Sequence, residues 1–428
     1  MVRTPVAVRR PRAKRATPGP RQRPTHRLTA ALALTGCGVL ALGAGPALAT
    51  SPSCGETITA NTTLRADLSN CPDDGLVIGA DNITLNLKGH TIDGDAASTG
   101  GDDVGVRVAG RHGIVIRSGA LQEFDHAVHL TAARRNVIRN LVTTGNGDVD
   151  NGRAILLDDG SDNNRIERND ASHNGRSGIT MFDSSHNLVA ANRTTHNGVA
   201  GMGVFGGADN SVVANIITDN AENGIAWDGT TGGRVAGNRI SGNPDQALGM
   251  GSDRTLVIGN LIRDNGDNVI VFGNGNVVRE NLIRDAGGCP DGCGFGISVE
   301  GGLANDVTRN LVTGNVRDGI RVDTFEPDAP AAGTVVRANV VRSTGVDGIS
   351  VGTETDNPVP NTRIVGNHVR RSADDGIDAA RAGTLVAHNT AHHNGDLGIS
   401  ALLGVIDGGG NHAFGNGNPA QCINIDCK

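Results

Sequence analysis

Residues 174–197 read NGRSGITMFDSSHNLVAANRTTHN, and this stretch decides the fold. GITMF alternates as a strand does, with Ile179 and Met181 toward one face and Thr180 and Phe182 toward the other. DSSHN has the composition of a turn. LVAAN is a second short strand closed by Asn192, and RTTHN a third closed by Asn197. Three short strands and three turns in so few residues describe one coil of a parallel β-helix.

The same parts return along the chain. The asparagine after the second strand marks them at Asn140, Asn169, Asn192, Asn215, Asn238, Asn260, Asn281, Asn310, Asn339, Asn367 and Asn389. The step is 23 residues from Asn169 to Asn238, then 22 and 21, and it stretches to 29, 29 and 28 between Asn281 and Asn367. A fixed period with local insertions marks a solenoid, each repeat stacked on the last. The asparagines are expected to stack, to hydrogen-bond within the turn and to tolerate the left-handed conformation. The expectation is therefore an all-β solenoid of about 13 rungs and three sheets over residues 76–412. Caps are expected at 50–75 and 413–428.

Composition agrees with this reading. Of 428 residues 63 are Gly, only 7 are Phe, one is Trp and none is Tyr. Residues 1–49 differ: they carry nine Lys/Arg and no acid, then an apolar run from Leu28 and Ala47-Leu48-Ala49. That is the pattern of a secretory signal peptide cleaved after Ala49. The Leu34-Thr35-Gly36-Cys37 segment offers a rival reading as a lipoprotein site at Cys37, set back because apolar sequence continues beyond it. With the leader removed, Lys+Arg falls to 38 − 9 = 29 against 45 Asp+Glu, a net charge of −16. An acidic surface argues against nucleic acid as partner and leaves room for divalent cations such as Ca²⁺. No later segment is apolar enough to span a membrane, and a monomer is expected. The six remaining cysteines fall into local pairs, Cys54/Cys71, Cys289/Cys293 and Cys422/Cys427, which an exported solenoid would close as disulfides.

From Leu76 to Asn416 the chain resembles the right-handed parallel β-helix proteins of the pectin-lyase-like superfamily. The resemblance is carried by ITLNLKGHTIDG (83–94), similar to the opening rung of such domains, and by the asparagine ladder. It implies that the Gly-Ile-x-Val strands form the first sheet and that the outward face of this sheet holds the binding groove. It says little about activity, because this fold hosts lyases, hydrolases, epimerases and noncatalytic proteins.

Aligned on their inward Ile/Val, the first-sheet strands place Glu300, Arg321 and Asp323 outward on neighbouring rungs. The long insertions 285–294, 324–333 and 352–361 gather beside them, as walls of a groove would. Two carboxylates and an arginine suit two chemistries. In a lyase, Arg321 would take a proton from a uronate while Glu300 and Asp323 hold Ca²⁺; in a hydrolase, the carboxylates would act as acid and base. A bland alternative has Arg321 simply neutralising two acids. Only Lys88 and Lys428 remain after the leader and Tyr is absent, so a central lysine base or a tyrosine acid is excluded. Phe182, Phe205 and Phe272 would offer a stacking platform for sugar rings, or merely brace the sheet. Asp318, Asp347 and Asp375 each precede Gly-Ile and would stack as three acids, for Ca²⁺ or screened by Arg317 and Arg321, although Ser177 and Asn223 at equivalent places favour simple turn chemistry. The reading is a secreted protein that binds an extracellular polysaccharide, with cleavage by lyase or hydrolase chemistry left open. The alternative is a noncatalytic surface or matrix protein used for adhesion or spacing. A metal-handling role, like that of the nitrous-oxide-reductase accessory β-helix proteins, is weaker, because His residues look scattered.

Overall fold

A computed structural model describes residues 51–96, 103–148, 150–288, 292–353 and 355–428. The expected leader, with Cys37, lies outside them. From Thr50 onward the chain forms one compact unit. Among the described residues there are 44 strands and no helix, and every strand pair is parallel, as a β-helix requires. Accordingly, no helix of the described residues is long and apolar enough to cross a membrane.

The first sheet stacks 16 strands rather than the roughly 13 rungs expected. The difference comes from the ends and their flanks. Glu56–Ile58 pairs with Leu76–Ile78, which pairs with Val104–Ala109, and Cys422–Ile423 pairs with Ile399–Ala401. The segments expected as caps therefore continue the coil. Cys54–Cys71 and Cys422–Cys427 are joined as disulfides, with Cα atoms 5.3 and 6.3 Å apart, and fasten these terminal rungs. Cys293 is also disulfide-bonded; its expected partner Cys289 lies outside the described residues.

Most other strands belong to a second and a third sheet, typically three residues each. Val115–Gln122 and Val137–Thr144 run through the bend between the two sheets and join them. The interior is a column of aliphatic side chains. Ile225, Leu248, Val269, Ile297, Ile320 and Ile349 succeed one another in register, all fully buried. The glycine before each isoleucine is a close-approach residue. A Cβ at Gly319 would stand 2.3 Å from Val341 Cγ1 inside the coil. This inward glycine turns the residue before it, Asp318, onto the outer face beside Arg321.

The asparagine ladder runs through the bend after the second strand. Asn192 Nδ2 donates to Asn215 Oδ1 at 3.1 Å and to Ile166 O at 2.8 Å, while its backbone N–H donates to Asn215 Oδ1 at 2.8 Å. Asn215 repeats the pattern toward Asn238, and Asn238 toward Asn260. The left-handed residue is mostly the one before the asparagine: Ala191, Ala214 and Ala338 have φ of 56°, 56° and 53°. The asparagine side chain must point inward to reach the neighbouring rungs, and the strain falls on its predecessor, at a cost of roughly 1–2 kcal/mol for a residue with a Cβ. Asn140, expected as a ladder member, is not one: it is exposed, takes φ of 53° as Arg168 takes 54°, and Leu141 holds the ladder position, its N–H donating to Asn169 Oδ1 at 3.1 Å.

Candidate functional site

The outward face of the first sheet follows the register drawn from sequence. Ile270, Ser298, Arg321, Ser350, Asp378 and Ser400 are successive partners. Arg321 is 3% exposed, which an outward residue of a bare sheet would not be. Its guanidinium lies 3.7 Å from the Phe295 ring centroid and 4.8 Å from that of Phe325. Phe295 follows the insertion on one border of the strands, and Phe325 opens the insertion on the other. Arg321 Nη2 donates to Glu300 Oε1 at 2.5 Å and Nε donates to Ser298 Oγ at 2.9 Å; Ser298 Oγ also donates to Glu300 Oε1 at 3.0 Å. Burial pushes the Glu300 carboxyl up, and the Arg321 charge pulls it back. A stacked, paired and buried guanidinium holds both borders of the groove together. Two of its three nitrogens are engaged, Nη2 by Glu300 and Nε by Ser298.

Asp323 sits elsewhere. It is fully buried, and its Oδ1 accepts the Thr324 N–H and the Thr355 hydroxyl, each at 2.8 Å. Thr324 Oγ1 donates to Pro358 O, and Asn357 Nδ2 donates to Thr324 O. These bonds knit the insertions 324–333 and 352–361 into one wall. Glu300 is engaged by Arg321 and Ser298, and Asp323 by the wall. The two carboxylates, held by different partners, do not fit a shared Ca²⁺ site.

The acids that do gather on this face stand in the column before Gly-Ile. Asp318 Oδ1 accepts the Asp347 N–H at 3.1 Å, and Asp347 Oδ1 accepts the Asp375 N–H at 2.9 Å. Asp375 Oδ1 accepts the Leu397 N–H at 2.8 Å, and Asp318 Oδ2 takes the Ser350 hydroxyl at 2.7 Å. Asp267 occupies the same column on the far side of Phe295 and accepts the N–H groups of Gly294 and Phe295. Asp378 lies in the next column, hydrogen-bonded by Ser400. Burial raises the carboxyls of Asp267, Asp318 and Asp378. Burial and then the Asp318 charge push Asp347 up to about 8, and burial carries Asp375 up to about 6. Asp347 therefore keeps its proton at neutral pH.

Asp318 and Asp347 are less than a tenth exposed, whereas Asp378 is half-buried and opens into a pocket of about 270 Å³. Thr355, Asp356 and Arg381 line the other sides, so the wall that Asp323 anchors is also a wall of this pocket. Asp374, Asp375 and Asp396 converge at the outer rim. The Asp318–Asp347–Asp375 stack expected from sequence is present, and Arg317 and Arg321 both act on Asp318 at its end. Asp378 stands in the outward column that the spacing predicts, but its pocket is built by an insertion that no repeat places, and Asp267 is tied to Phe295 only through the Gly294 and Phe295 N–H groups. Of the phenylalanines, Phe182 and Phe205 stack at 5.2 Å. Phe272 is 40% exposed and separated from them by the rungs of Asp228 and Gly251.

The coil, its ladder and its decorated first sheet define a class, and the sequence is consistent with it. The family model described as "Right handed beta helix region" matches residues 74–240 and 229–327, and the chain belongs to that family. A search of curated proteins finds none that matches. Among solved structures it is similar to the A-module of a mannuronan C-5 epimerase from Azotobacter vinelandii, at 14% identity and TM-score 0.40, covering 87% of this chain and 91% of that one. It is also similar to DFA-IIIase from Arthrobacter chlorophenolicus, at 14% identity and TM-score 0.41, covering 65% and 69%. A third is a thermostable α-1,3-glucanase catalytic unit from Streptomyces thermodiastaticus, at 15% identity and TM-score 0.42, covering 85% of this chain and 62% of that chain.

Proposed function

We propose that the chain is an exported protein that binds a neutral polysaccharide on the outward face of its first sheet, with Asp378 the carboxyl that meets the polymer. The observation that carries this reading is the pocket beside Asp378, walled by Thr355 and Asp356 of the insertion 352–361, which Asp323 anchors through Thr355, and by Arg381. Glu300, Arg321 and Asp323 act as positioning residues: the first two hold the borders of the groove and the third anchors its wall. Phe182 and Phe205 would extend the same face with a ring-stacking surface.

The charge on this face argues for the class of polymer. Asp267, Asp318, Asp347, Asp375 and Asp378 outnumber the cations beside them: Arg317 and Arg321 act on Asp267 and Asp318, Arg381 lines the pocket with Asp378, and Glu300 already engages Arg321. A uronate would bring a further carboxylate into a desolvated acidic field, and like charges there repel. A neutral sugar brings hydroxyls, which protonated and ionised carboxyls both bind. Cleavage is the finer reading. A carboxylic acid would protonate the leaving oxygen while a carboxylate activates water, the arrangement hydrolysis requires. Export is supported by the two disulfides, which suit an oxidising compartment.

The test is a panel of neutral glucans and galactans beside uronate polymers, read by binding, by reducing ends and by the absorbance of unsaturated products. Binding of a neutral polymer that Asp378→Asn weakens is the expected result. Unsaturated products from a uronate, or binding indifferent to Asp378→Asn and Asp378→Ala, would sink the proposal. Binding without new reducing ends removes the cleavage reading alone.

A further inference from the structure

Away from this groove, on the third sheet near the C-terminal end, three histidines meet. His368 and His392 lie on adjacent rungs, in the strands His368–Arg370 and Thr390–His392. Their Nε2 atoms are 3.1 Å apart. On its other side His392 Nδ1 is 2.7 Å from His393 Nδ1. Phe414, from the next rung, stacks flat on His392 at 4.9 Å with an interplanar angle of 2°. Spacing in the sequence conceals this group, because residues 24 apart become neighbours only through the coil.

We propose that His368 and His392 bind a divalent transition-metal ion through their Nε2 atoms, with His393 as the residue that orients His392. The geometry carries the argument. Two imidazole nitrogens bound to one ion at about 2.0–2.1 Å, at right or tetrahedral angles, stand about 2.9–3.4 Å apart, and the observed separation falls inside that window. Two nitrogens so close must share a proton or a cation. A metal-bound histidine characteristically donates its other ring N–H to a neighbour, which sets the tautomer. Here His392 Nδ1–H donated to His393 Nδ1 leaves the Nε2 lone pair facing His368. Phe414 then fixes the ring plane.

The surroundings favour a neutral imidazole at His392. Burial, followed by His368 and His393 and then Arg370 and Arg371, lowers the His392 pKa. The same two arginines oppose a dication, so the site suits ions that bind imidazole strongly, Cu²⁺ ahead of Ni²⁺ and Zn²⁺. Water would complete the coordination. Calcium, which takes oxygen ligands, is not a candidate.

The experiment titrates Cu²⁺ and Zn²⁺ into the full chain at pH 7.5, read by calorimetry and, for Cu²⁺, by nitrogen hyperfine structure in electron paramagnetic resonance. One equivalent is expected to bind with a nitrogen signature. His368→Ala and His392→Ala should each weaken it by roughly tenfold or more, and His393→Ala should weaken it while retaining the two-nitrogen signature. His173→Ala, on the stacked pair with His196, should change nothing, and excess Ca²⁺ should not compete. The more conservative pair His368→Asn and His392→Asn guards against a loss that comes from misfolding, checked by circular dichroism. No binding by the native chain, or binding of equal strength in folded His368 and His392 variants, overturns the proposal and leaves a hydrogen-bonded histidine cluster.

Discussion

Two ladders of side chains climb the coil, one of asparagine through the second bend and one of aspartate along the border of the first sheet. Both bond the backbone of a neighbouring rung. Asn215 accepts the Asn192 N–H at 2.8 Å, and Asp347 accepts the Asp375 N–H at 2.9 Å. They differ in what the second side-chain atom does. The asparagine amide donates onward, to a carbonyl and to the next asparagine, so each member is satisfied and neutral. The aspartate has no donor unless it is protonated, and burial plus its neighbours push it toward protonation. An amide would hold these rungs without that penalty. An acid retained where an amide would serve points to a use beyond holding rungs, and perturbed acids of this kind gather at functional sites.

The comparison can be broken most severely by exchanging the side chains. Asn215→Asp would set a carboxylate oxygen against Val189 O and Asn238 Oδ1, the two acceptors that Nδ2 now serves. A loss on the order of 4–5 kcal/mol is expected, since a buried charge would face only acceptors. Urea unfolding at pH 7 measures it, and a loss below about 1 kcal/mol would mean the ladder is not the framework described.

Arg321→Met tests the clamp between the two borders. It leaves Glu300 buried without its cation, and breaking such a pair costs about 3–5 kcal/mol. The double variant with Glu300→Gln should recover much of that loss. If the double variant is no more stable than the single one, the pair is not the source.

Asp347→Asn is the reverse exchange and should stabilise the protein. Its raised pKa means that the folded state holds a proton the unfolded chain releases, so stability is fullest below about 4 and declines as pH rises toward about 8. The amide removes that decline while keeping an oxygen for the Asp375 N–H. A gain of roughly 1–3 kcal/mol at pH 8.5, shrinking toward zero near pH 4, is expected from unfolding curves at the two pH values. A gain independent of pH would contradict the assignment. Asp374→Asn, an exposed acid beside the ladder but outside it, is the smallest effect, within about 0.5 kcal/mol at either pH.

The asparagine ladder was legible in the chain because its period is nearly constant and every member occupies the same place after an apolar strand. The first-sheet register was legible for the same reason: Ser298, Arg321, Ser350 and Asp378 fall in step with the inward isoleucines. What could not be read is depth. Glu300, Arg321 and Asp323 looked equivalent as outward residues, yet the first two form a buried ion pair and the third is turned into the wall by Thr324 and Thr355. Those bonds come from insertions whose paths no repeat specifies. The His368–His392 contact escaped for a related reason, since it is diagonal across two rungs.

The sequence by itself determined that this protein is a coil of parallel strands. A repeated Gly-Ile strand and a repeated asparagine each satisfy a local requirement that only stacking meets, a close approach in one case and a shared amide in the other. The tertiary structure alone decided which acids are functional candidates. Burial, not residue type, separates the carboxyls that keep their protons from those that merely face water, and burial here is made by Phe295, Phe325 and the knitted loops that fold back over one stretch of an otherwise repetitive sheet.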